Sequence, residues 1–153
     1  MTLGRPVPWG MAIALALGAI CVQAARADLG AARAEANLEK RSKLALDNAQ
    51  AALKAARAAY NQGDDAAAAA ALEAVRESVD LAQDSLKQTG KDPRSHPKYF
   101  KQAEITTRDL LRKLETFQQE MSYVDRPMVD GAKARVQQVH DELLIGLMEG
   151  RKK

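Results

Sequence analysis

Residues 63–90 read GDDAAAAAALEAVRESVDLAQDSLKQTG, and the reading of this stretch decides the fold. Leu72, Val75, Val79, Ala82 and Leu86 recur at steps of three and four, the period of one apolar seam on an α-helix. Six consecutive alanines, Ala66 to Ala71, favour helix strongly and let a neighbouring backbone come close. Gly63 stands where a preceding helix needs a residue free to take positive φ. Asp64 follows as an N-cap, and Asp65 adds a second carboxylate at the positive end of the helix dipole. Gly90 ends the run. The stretch is one complete, capped, amphipathic helix over about 65–89.

The same signals recur on both sides. Upstream, Leu46, Ala49, Leu53, Ala56 and Tyr60 form a stripe, with Leu38 and Leu44 before it, predicting a first helix over about 29–61. Downstream, Phe100, Ala103, Thr107, Leu110, Leu114, Phe117 and Met121 predict a helix over about 97–122. Val129, Ala132, Val136, Val139 and Leu143 predict another over about 126–149. Ser95-His96-Pro97 and Asp125-Arg126-Pro127 each place a capping side chain two residues before a proline, which first-turn positions tolerate. Val124 is placed to pack on Val129 as a hydrophobic staple.

Four seams joined by short links predict an all-α fold, an antiparallel up-down four-helix bundle. At 1.5 Å per residue the first helix reaches roughly 50 Å against roughly 36–39 Å for the others, so Leu29 to Leu38 should overhang. Residues 28–90 are Ala-rich, whereas only Ala103, Ala132 and Ala134 follow Gly90, predicting a slim first hairpin and a bulkier second one. Ala56 to Ala71, centred on Tyr60-Asn61-Gln62-Gly63-Asp64, resembles the turn inside a tetratricopeptide-type helical hairpin. The flanking helices are longer than that repeat and no second copy follows, so the resemblance implies shared turn physics and no function.

Composition agrees with helices. The chain has 153 residues, 46% of them hydrophobic but only 4% aromatic, because Ala and Leu carry the apolar content. Few aromatic and β-branched residues argue against a β-sandwich or barrel. Residues 1–27 read as a signal peptide ahead of a single domain over 28–153. Arg5 supplies the positive start, Met11 to Val22 the apolar run, and Ala25-Arg26-Ala27 the small-x-small cleavage pattern. Export to the periplasm or beyond the cell follows, the alternative being an uncleaved inner-membrane anchor over residues 11–25. Gly18-Ala19-Ile20 before Cys21 is a poor lipobox.

Cleavage removes Arg5 and Arg26 and no acid, leaving 21 basic against 20 acidic residues, a charge of +1. A nearly neutral domain gives no reason to expect nucleic acid as a partner. Cys21 and Trp9 leave with the leader, so the processed chain holds no disulfide, thiol nucleophile or thiolate ligand.

Motifs for catalysis are missing. The two histidines, His96 and His140, are preceded three residues earlier by Pro93 and Gln137, not by the Glu of a di-metal bundle. There is no Cys-x-x-Cys-His for haem, no zinc-type His-Glu-x-x-His and no Gly-x-Ser-x-Gly elbow. The sequence therefore predicts a non-enzymatic protein with no cofactor and no metal. Glu104 and Asp109 are the carboxylates to check across helices, intrabundle ion pairs being their ordinary fate. His140 reads as a boundary residue.

Three features suit binding. Leu143 to Met148 is apolar beyond a single stripe, marking Leu144, Ile145 and Met148 as a partner or self-association surface unless the overhanging first helix covers them. Tyr123 and Arg126 remain unexplained in a loop whose other residues cap and staple. Lys87, Lys91, Arg94, Lys98 and Lys101 gather around the middle connection as contacts for an anionic ligand, a phosphorylated lipid or cell-wall polymer. A small-molecule cavity in the Phe/Met-rich second hairpin is a further alternative. The leading expectation is an exported protein–protein interaction or scaffold module of the bacterial envelope, with membrane contact only through a retained leader.

Overall fold

The computed structural model describes residues 29–149, and their regular structure is all helical. The expected signal peptide at 1–27 and the basic tail at 150–153 lie outside the described residues. Five helices pack against one another: α1 (29–34), α2 (Leu38–Asn61), α3 (Asp65–Gln88), α4 (Pro97–Glu120) and α5 (Pro127–Glu149). No described helix is long and apolar enough to cross a membrane.

The seam residues of α3, α4 and α5 are buried without exception, from Leu72 to Leu86, Phe100 to Phe117 and Val129 to Leu143. In α2 the core positions are Leu46, Ala49, Leu53 and Ala56, with Tyr60 half-buried. Gly63 and Gly90 both take positive φ, at +76° and +67°. The Asp64 side chain accepts from the Ala67 amide at 2.9 Å, capping α3. Replacing Asp64 with Ala should cost about 1 kcal/mol of stability in urea unfolding.

The first helix is not continuous. Asn37 takes an extended conformation and its side chain accepts from the Lys40 amide at 3.0 Å, starting α2 afresh. Glu35 braces the break: it accepts from the Asn37 amide and pairs with Lys40 at 2.8 Å, while its backbone carbonyl accepts from Arg41. The expected overhang is therefore corrected. α1 turns back onto the first hairpin, burying Leu29 and Ala32, with Arg33 3.6 Å from Glu77. This removes the Leu29 side chain from water, a favourable contribution of the turn-back.

Two hairpins make up the body. Asn48 donates to Ser78 at 2.8 Å and Lys91 meets Glu39, so α2 and α3 run in opposite senses. Thr107 meets His140 and Lys133 meets Glu115, giving α4 and α5 the same relation. The backbones of α2 and α3 approach more closely along their length than those of α4 and α5. Alanines at the contact, among them Ala45, Ala49, Ala52, Ala71 and Ala74, permit this. Asn48 Oδ1 is buried with no hydrogen-bond partner among the described residues. A buried Asn–Ser pair of this kind sets the register of two helices at some cost in stability.

Helix adjacency departs from the expectation that chain neighbours pack side by side. α3 and α4 barely touch; α3 lies beside α5, and α2 beside α4. Arg135 reaches Asp80 and Gln83, and Lys87 reaches Glu142, so α3 and α5 run in the same sense. The connection is long enough to permit this. Residues 89–96 span up to about 26–29 Å when extended. A diagonal between helices about 10 Å apart along each side is about 14 Å.

Candidate functional site

The described bundle has two ends, and each gathers one set of residues singled out above. At the first, loop 121–126 follows α4 beside the α2–α3 turn. Tyr60 is fixed by its ring, which meets Phe117 edge-on at 5.8 Å. Its hydroxyl donates to Asp125 Oδ2 at 3.0 Å and accepts from the Ser122 amide at 3.0 Å. Ser122 Oγ donates to the same carboxylate at 2.6 Å. From the other side, Gln118 Nε2 donates to the Arg126 carbonyl at 3.1 Å and to Asp130 at 2.6 Å.

This knot corrects two expectations. The Asp125 side chain is held by Tyr60 and Ser122 instead of capping α5, and Val124, 83% exposed, does not staple to Val129. Nor does Ser95 cap α4: its hydroxyl contacts Asp92 at 3.4 Å, and the N-cap position, His96, makes no side-chain capping bond. With Asp125 drawn inward, Tyr123 is turned out to 84% exposure. The Arg126 guanidinium lies 5.9 Å from its ring centroid, within cation–π range. The structure thus brings Tyr123 and Arg126 together on a braced loop.

The second end holds the 89–96 connection, the start of α2 and α4, and the ends of α3 and α5. Two of its five expected anion contacts are engaged within the chain: Lys87 with Glu142 at 3.0 Å and Lys91 with Glu39 at 2.7 Å. Arg94, Lys98 and Lys101 are exposed and pair with no carboxylate among the described residues. Lys98 Nζ lies 5.2 Å from the Tyr99 ring centroid. A cleft of about 200 Å³ opens between the hairpins, lined by Leu86, Pro93, Phe100, Leu143 and Gly146. A Cβ at Gly146 would stand 3.3 Å from Pro93 Cγ, so glycine lets the connection close on α5. This cleft is shared by α3, the connection and the second hairpin.

Leu144, Ile145 and Met148 are 40%, 53% and 71% exposed, while Leu143 is buried. α1 does not cover them: Ala31 and Ala32 share a pocket with Leu44, Asn48 and Ala51 of α2.

Lys87 holds the Glu142 carboxyl below the ordinary glutamate range, by its hydrogen bond first and against the opposing effect of burial; Gln138 and Arg135 act in the same direction as Lys87. A depressed folded-state value means that the stabilisation is complete above about pH 4.3, where the unfolded chain ionises. It is lost as pH falls through the depressed value. Glu142→Gln should therefore flatten the acid limb of the stability–pH curve and leave its neutral limb parallel to wild type.

The other chemistry is occupied. Glu104 pairs with Arg108 at 3.2 Å and faces His140 Nδ1 at 3.8 Å. Asp109 pairs with Arg112 and with Lys113, whose hydrogen bond is the main cause of its lowered pKa. The two carboxylates do not meet across helices. Among the described residues no three of His, Cys, Asp and Glu converge as metal ligands.

No family model and no curated protein matches the chain. The functional reading therefore rests on these two ends. Nothing in the sequence announced the Tyr60–Asp125 link, which joins residues 65 apart.

Proposed function

We propose that this chain is an exported, non-enzymatic helical interaction module. In this reading residues 1–27 are removed, and an antiparallel up-down bundle presents loop 121–126 to a partner protein. The observation that carries it is the exposed Tyr123–Arg126 cation–π pair on a loop held by Tyr60, Ser122 and Asp125. Tyr and Arg dominate the energetics of protein interfaces, and a loop ordered before binding loses less entropy on docking. The capped helices supply the rigid support, and the leader motif supplies the route out of the cell.

The test compares proteins retained by the wild-type chain with those retained by Tyr123→Ala and Arg126→Ala, all isolated from the cells that make it. A component held by the wild type and lost from both variants supports the reading. Identical retention by all three refutes it. An intact mass beginning at Asp28 supports export with cleavage, and a full-length mass favours the anchored alternative.

A second reading is favoured by Arg94, Lys98 and Lys101, which pair with no carboxylate among the described residues. It makes the connection end a binding surface for an anionic ligand.

A further inference from the structure

Charge pairing across the described surface is uneven. Of 23 Lys and Arg, Arg5, Arg26, Arg151, Lys152 and Lys153 lie outside the described residues, leaving eighteen. Twelve of these stand in ion pairs with described carboxylates. Of the six that do not, Arg94, Lys98 and Lys101 fall within eight residues at the connection end. Lys98 and Lys101 are three apart at the start of α4, where like charges repel and the helix dipole is unfavourable to cations. α2, α3 and α5 each carry an acid in the first turn; α4 carries none. Three nearby acids are engaged: Glu39 with Lys91, Glu142 with Lys87, and Asp92 with the Arg94 amide and Ser95.

The same end carries Leu144, Ile145 and Met148, three of the six large apolar side chains exposed on the described surface. In sequence, three further cations, Arg151, Lys152 and Lys153, follow that apolar turn.

Resting on the anionic-ligand reading, the geometry points to one occupant: the surface of a bilayer containing anionic lipid, with Ile145 and Met148 entering the interface and Arg94, Lys98 and Lys101 facing headgroup phosphates. Lys98 and Lys101 favour this over a protein partner: lysine is depleted at protein interfaces, whereas basic residues together with exposed aliphatic side chains mark interfacial membrane contacts. The bundle would then stand on a membrane by one end and offer Tyr123 and Arg126 at the other, about 35 Å away along helices of 24 residues.

The test uses the full chain with Cys21→Ser and an environment-sensitive fluorophore on Met148→Cys, or on Val124→Cys at the opposite end. Vesicles contain phosphatidylcholine alone or with phosphatidylglycerol. The expected result is a blue shift at position 148 only with anionic vesicles, reversed at high salt, and none at position 124. Comparing the two positions separates docking of this end from tethering by the leader. Lys98→Glu with Lys101→Glu should weaken the anionic-vesicle response at least about tenfold. Acids at the start of α4 suit its dipole, so that variant should fold. A shift equal in neutral vesicles, a shift at both positions, or no shift overturns the proposal. So does a shift without vesicles that grows with protein concentration, which assigns the face to a second copy. An equal shift with soluble polyglutamate assigns it to an acidic polypeptide. Loss of the anionic response leaves the Tyr123–Arg126 reading standing, because that loop is at the other end.

Discussion

Phe117→Ala is expected to lower folding stability by about 3–5 kcal/mol, the range for emptying a buried aromatic site. Phe117 is among the largest fully buried side chains, set between the hairpins with Leu53 nearby and Tyr60 edge-on to its ring. Small domains hold only about 5–15 kcal/mol in total, so the variant should sit close to unfolding at ambient temperature. The substitution also removes the support of the Tyr60 ring, and with it the post to which Ser122 and Asp125 are tied. Amide exchange at Ser122 should therefore rise beyond what global destabilisation explains. Val124→Ala, exposed on the same loop, should change stability by less than about 0.5 kcal/mol. Urea unfolding followed by helical circular dichroism separates the two. A similar small effect for both variants would remove Phe117 from its central place in the core.

The second large effect is on binding. Tyr123→Ala should weaken partner association by about 30-fold or more, since truncating an interface anchor typically costs 2 kcal/mol or more. Its thermal midpoint should stay unchanged, because the ring is exposed and its hydroxyl holds no core contact. Arg126→Lys should retain part of the affinity: the charge beside Tyr123 survives, but the planar donor fork does not. Tyr60→Phe provides the complementary case. It keeps the ring against Phe117 and removes the hydroxyl bonds to Asp125 and Ser122. Binding should fall through a looser loop, with Tyr123 and Arg126 both still present. Equal binding by wild type and Tyr60→Phe would show that bracing contributes nothing.

What the sequence made legible was local. Seam spacing in α3, α4 and α5 marked buried residues correctly because three-and-four periodicity is enforced at each turn. Gly63, Asp64 and Gly90 were readable because each acts on a backbone within four residues of itself. The break at 35–37 was less visible. Asn37 is a good N-cap residue, but it lies between stretches that both favour helix. Adjacency was illegible for a different reason: a link of eight residues limits distance without choosing a side or a diagonal.

The site followed the same division. Tyr123 and Arg126 stood out once local devices had been assigned to their neighbours, although Asp125 and Val124 serve otherwise than those devices suggest. The partners of Lys87 and Lys91 are 55 and 52 residues away in sequence, so no local spacing distinguished them from Arg94, Lys98 and Lys101. Only the fold shows which cations of a basic run already have carboxylates.

The central claim is that the loop at 121–126 is a binding surface in the cell, and site-specific photocrosslinking tests it most directly. A photoreactive phenylalanine analogue at position 123, in the cells that make the protein, should yield one discrete adduct. The adduct should vanish with Arg126→Ala and should not form from position 119, an exposed site on the last turn of α4. Equal adducts from both positions, or none from position 123, would contradict the account.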